Sequence, residues 1–141
     1  MHSTFAIAHG LAAVIGGAPD AFCGMRHDPC RPGEVLYTFS WIRGGSFGRA
    51  EVVKPDDSSS AAAPMSAWVL PLVDIRKVDC DFNVTNPGRI PNDYTVKLKV
   101  EVHWDDRSVV LDAIPSMNSY ARPGLEKLIE LVLASMRDRS L

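Results

Sequence analysis

The sequence predicts an α+β fold, a mainly antiparallel β-sheet or partly open barrel of about five to seven strands closed by a C-terminal amphipathic helix, with a short N-terminal helix. Three observations predict it. Residues 94–104 alternate strictly between apolar and polar side chains, residues 34–53 form two strand-like runs about a glycine pair, and residues 123–137 repeat their apolar positions at helical spacing.

Residues 3–15 read as a helix capped by Ser3 or Thr4 and stopped by Gly16-Gly17. This helix is apolar on most sides, so it must be covered, and a homo-oligomer contact through it is one expectation. From Ala18 to Gly33 the breakers Pro19, Gly24, Pro29, Pro32 and Gly33 predict an irregular connection. Residues 1–33 are therefore expected as an N-terminal helix and connection, and residues 34–141 as the barrel-like body of a single domain.

In that body, Val35, Tyr37, Phe39 and Trp41 fall on one strand face and Thr38 and Ser40 on the other. Arg43-Gly44-Gly45-Ser46 turns the chain and Phe47–Val53 returns, predicting a β-hairpin. Lys54–Pro64 is polar and of low complexity, a surface loop. Trp68–Val73 suits an edge or a bend at Pro71, and Val78, Cys80, Phe82 and Val84 then alternate with Asp79, Asp81 and Asn83. After a loop at residues 85–93 comes the clearest strand, with Tyr94, Val96, Leu98, Val100, Val102 and Trp104 opposite Thr95, Lys97, Lys99, Glu101 and His103. A slip of one residue would bury two lysines, which determines its register. Asp105-Asp106-Arg107 turns the chain into a last strand, Ser108–Ile114. Pro123 then suits the first turn of a helix whose face is Leu125, Leu128, Ile129, Val132 and Met136, broadened by Leu131 and Leu133.

A chain of 141 residues with 46% hydrophobic and 23% charged residues and a net charge of −2 has an ordinary globular composition. Nothing in it predicts bulk electrostatic attraction to nucleic acid or to an anionic membrane, and a nucleic-acid partner is not expected. An odd set of cysteines, Cys23, Cys30 and Cys80, points to a reducing, cytoplasmic setting. The apolar run Phe5–Ile15 has no Lys or Arg before it and no small-residue cleavage site after it, so a secretory leader is not expected.

Several antiparallel strands, a long loop between strands and one closing helix resemble the element order of the pleckstrin-homology-like superfamily. The closest likeness runs from Leu70 to Arg137: Leu70-Pro71-Leu72-Val73-Asp74-Ile75-Arg76-Lys77-Val78 looks like the strand entering the second half of such barrels, followed by the strand pair 94–114 and helix 123–137. Hairpin 34–53 adds to it, and residues 1–33 have no counterpart. The resemblance implies a module that binds a protein, a peptide or a membrane phosphoinositide, without enzymatic activity of its own.

Three groups of residues are candidate sites. Lys97, Lys99 and His103 project from one strand face and, with Arg76 and Lys77, form a basic surface for an acidic partner. Arg43, Arg49 and Lys54 flank the glycine-rich turn and are placed to meet an anion, such as a phosphoinositide headgroup. Cys23, His27 and Cys30 offer two thiolates and an imidazole within eight residues, a donor set suited to zinc. No nucleophile elbow, phosphate-binding loop or paired-histidine zinc motif is present, so neither catalytic residues nor a cofactor are expected. The function read from the sequence is a non-catalytic interaction module for a protein or peptide. Its alternatives are a small-molecule-binding barrel or small enzyme with a site between the sheet and the C-terminal helix, and a phosphoinositide-binding domain.

Overall fold

A computed structural model of the chain describes residues 2–27, 34–55, 65–86, 88, 91, 94–115 and 120–139, with only the backbone described at 2–6, 54 and 55. The chain divides into two compact units, Met1–Pro71 and Leu72–Leu141.

The first unit holds helix α1 (His2–Ile15) and strands β1 (Ala21–His27), β2 (Glu34–Arg43), β3 (Ser46–Pro55) and β4 (Met65–Pro71). The strands form one antiparallel sheet in the order β1-β2-β3-β4. The expected hairpin is β2–β3, closed by the pair Arg43↔Ser46 around Gly44, whose φ of 59° is the left-handed conformation that two-residue hairpin turns require. On one sheet face, Trp41 and Ala50 pack with Leu11 of α1, bordered by Ile7, Ile15, Phe39 and Met65. Its own sheet thus covers one face of the N-terminal helix, while Val14 on another is 42% exposed. On the other face Ile42 and Phe47 are fully buried, and Phe47 meets the Trp68 ring at 5.8 Å.

Strand β1 corrects the expectation of an irregular connection from residue 18. The prolines bracket Ala21–His27 rather than interrupt it, and Gly24 serves packing rather than a turn. Gly24 lies opposite Phe39, whose ring stands 3.0 Å from where a β-carbon would be. The expected loop at 54–64 gives up its first two residues, because β3 runs to Pro55; β4 begins at Met65, and residues 56–64 lie outside those described.

The second unit opens with a 3-10 turn, Leu72–Asp74, and continues through β5 (Lys77–Thr85), β6 (Thr95–His103), β7 (Ser108–Asp112) and helix α2 (Ala121–Asp138). Its antiparallel sheet has the order β5-β6-β7. The fold is therefore α+β as predicted, with four-stranded and three-stranded antiparallel sheets, a short N-terminal helix and a C-terminal helix, and no closed barrel. The run Leu70–Val78, expected as one entering strand, is divided: Pro71 ends β4 opposite Ser46, and the chain passes through the 3-10 turn before β5 starts.

Alternation in β6 is realised as predicted, with Val100 and Val102 fully buried and Lys97, Lys99, Glu101 and His103 on the opposite face. Helix α2 lies against β6, β7 and the 3-10 turn and buries Leu125, Leu128, Ile129 and Val132. Leu128 is 0% exposed, and a side chain buried to that degree stabilises by roughly 1.5–3 kcal/mol. Two arginines tie the helix ends to the rest of the unit. Arg122 donates to the carbonyl oxygens of Ala113 at 2.8 Å and Pro115 at 2.7 Å, and Arg139 donates to those of Leu72 and Ile75. No helix among the described residues is long and apolar enough to cross a membrane.

Candidate functional site

Strand β7 is shorter than β6, and this difference opens a cleft. Pairing between them begins at Lys99↔Asp112, and the last bond beyond it runs from the Ala113 N–H to the Leu98 carbonyl at 2.9 Å. Residues Thr95–Lys97 thus keep β5 on one side and, among the described residues, have no strand on the other. Helix α2 passes this gap with Glu126, Ile129, Glu130, Leu133 and Arg137, positions that share one helical stripe. Together with Val96, Lys97, Leu98 and Ala113 they enclose a cleft of about 250 Å³. Its floor is aliphatic, and charges of both signs stand at its rim.

The apolar character continues beyond the cleft. Val96 pairs with Val84 and Leu98 with Phe82 across the β5–β6 ladder, and these side chains lie on the face that β6 turns to its core. Phe82 is 69% exposed and Val96 53% exposed, so this row is open where α2 does not reach it. β5 itself is an edge strand with β6 as its sheet neighbour, and such an edge presents backbone groups that another extended chain can pair with. A site between the sheet and the C-terminal helix was among the alternatives the sequence offered; the exposed apolar row on β5 and β6 and the shortness of β7 were not legible from it.

On the opposite face of the same sheet lie Lys97, Lys99, His103 and Lys77, strung along the strands and interleaved with carboxylates rather than gathered as a basic patch. Cross-strand register places Asp81 and Asp112 on either side of Lys99, and Asp79 opposite Glu101. His103 Nε2 lies 3.0 Å from Asp79 Oδ2 and 3.2 Å from Glu101 Oε1, and Lys77 Nζ lies 3.5 Å from Asp79 Oδ1. Arg76 turns instead to Asp105 in a two-pronged contact, at 2.7 and 3.1 Å. Hydrogen bonding to that guanidinium holds the Asp105 carboxyl below its usual range.

The structure separates the residues around the glycine-rich turn. Arg43 lies over Gly17, with its guanidinium 2.6 Å from where a β-carbon would be, on the sheet face of Trp41. Arg49, adjacent to Ala50, points to the opposite face; burial lowers its pKa, with Glu51 opposing, and its Nε is buried without a partner. The Lys54 side chain is outside those described. The Gly44 N–H, a donor that a phosphate would use, is given to Asp20 Oδ2 at 2.8 Å.

The proposed thiol and imidazole ligands are likewise not gathered. Cys23 and His27 sit four residues apart on one extended strand, which spaces them by about 13 Å. Cys23 is buried, and burial pushes its thiol pKa up. His27 Nε2 is 2.9 Å from Thr38 Oγ1, and Cys30 lies outside the described residues.

Comparison of the chain with known protein families, with curated proteins and with solved structures finds no match.

Proposed function

We propose that the protein is a non-catalytic interaction module that receives an apolar side chain of an extended peptide partner in the cleft between β6 and α2. The observation that carries this reading is the start of β6, which among the described residues has no strand on the side of β7, beside an aliphatic cleft. An extended segment laid along Thr95–Lys97 would gain main-chain hydrogen bonds while alternate side chains reach the cleft, the two contributions that strand addition uses. Volume favours a peptide anchor over a cofactor: about 250 Å³ accepts one large side chain but falls below the roughly 300–1,000 Å³ usual for larger small-molecule ligands.

Element order supports a pleckstrin-homology-like architecture for this module: four antiparallel strands, then three, then a closing helix. Phosphoinositide recognition gains less support, because Arg43 and Arg49 occupy opposite sheet faces.

Selection from a random short-peptide display library on the intact chain tests the proposal. Enriched peptides are expected to share an apolar anchor, and their binding to be lost in Val96→Glu but kept in Val73→Glu, a change at a residue 76% exposed elsewhere. Binding indifferent to Val96→Glu, or no enriched sequence, would overturn it.

A further inference from the structure

On the face of the β5–β6–β7 sheet opposite the cleft, Asp79 and Glu101 are directly paired across β5 and β6, and His103 follows Glu101 at the next position on the same face. Like charges opposed in a ladder are unfavourable. Here both carboxylates converge on one atom, the His103 Nε2, at 3.0 and 3.2 Å. One imidazole N–H has a single proton and cannot serve two acceptors well.

We propose that Asp79, Glu101 and His103 form a binding site for a divalent transition-metal ion, zinc being the chemistry they suit best. Donors held about 2.0–2.2 Å from a tetrahedral zinc lie roughly 3.3 Å from one another, and the distances from the imidazole nitrogen to the two carboxylates already have that size. All three donor atoms lie within 4.8 Å of one another. A neutral imidazole with two carboxylates carries the charge of −2 that a dication balances, and it mixes the nitrogen and oxygen donors that zinc accepts. Three protein ligands on a solvent-facing sheet leave the fourth position to water. The backbone needs no rearrangement, because the β5–β6 register already holds all three ligands. Lys77, 3.5 Å from Asp79, is the cation that competes for the site, and its exposed side chain is free to swing away.

Zinc titration of the intact chain by calorimetry, with cobalt substitution read by absorption, tests this. One equivalent of zinc is expected at micromolar concentration, with affinity at least about tenfold weaker in His103→Ala and in Asp79→Asn, since removing even an outer partner of a metal ligand costs that much. Both residues lie on an exposed face, so circular dichroism of the variants should match that of the wild type. The cobalt form should show visible ligand-field bands without a thiolate charge-transfer band. Absence of zinc binding, binding unchanged in His103→Ala, or a thiolate band placing the ion on cysteine would each overturn the proposal.

Discussion

Gly48 lies opposite Trp41 in the β2–β3 ladder, and a methyl group placed on it would stand 2.2 Å from the indole. Trp41 is 2% exposed at the centre of the first core and has no room to withdraw. Gly48→Ala is therefore expected to destabilise by about the 1–3 kcal/mol typical of overpacking, read as a lower urea midpoint with unchanged slope. The described thiols should differ in the same residue-level way. Cys23 is buried with a raised pKa, whereas Cys80 is exposed on β5. Mass-mapped alkylation should label Cys80 in the native protein and Cys23 only on unfolding; equal rates would contradict the burial of β1. Asp105 supplies a pH signature. Its folded pKa is depressed by Arg76, so its contribution is present above the ordinary carboxylate range and is lost as pH falls through the depressed value. The stability difference between wild type and Asp105→Asn should begin to close near the ordinary carboxylate pKa of ~3.9 and vanish only below the depressed folded value.

At the scale of elements, α2 is the piece whose loss the second unit tolerates least. Its Leu125, Leu128, Ile129 and Val132 stripe covers the β6–β7 face, and arginines fasten both ends. Leu128→Ala should cost about 2–5 kcal/mol by chemical denaturation, as for other fully buried leucines. The stripe was legible because helical spacing is local, and β6 because a two-residue period is local too. Strand β1 was not. Its Cys-Gly-Met-Arg-His stretch has no alternation to read, and it is a strand because β2 supplies a hydrogen-bonding edge from Leu36 to Ile42. The same limit hid the arginine ties: nothing near Arg139 in sequence announces a carbonyl sixty-odd positions earlier.

At the scale of the whole molecule, each unit has its own buried centre, around Leu11, Trp41 and Ala50 in one and Val100, Val102 and Leu128 in the other. Native-state amide exchange should accordingly show two maxima of protection, in β2–β3 and in β6, with β5 opening more readily as an edge strand. Protection of β5 equal to that of β6 would mean that its edge is covered. What the sequence by itself determined was the α+β class, the hairpin, the two-faced β6 and the amphipathic helix, because each depends on the spacing of neighbouring residues. Only tertiary structure decided which strands share a sheet, that β7 stops short of the start of β6, and that Asp79 and Glu101 meet at His103. These depend on cross-strand register and relative strand length, which are settled by pairing between segments distant in the chain.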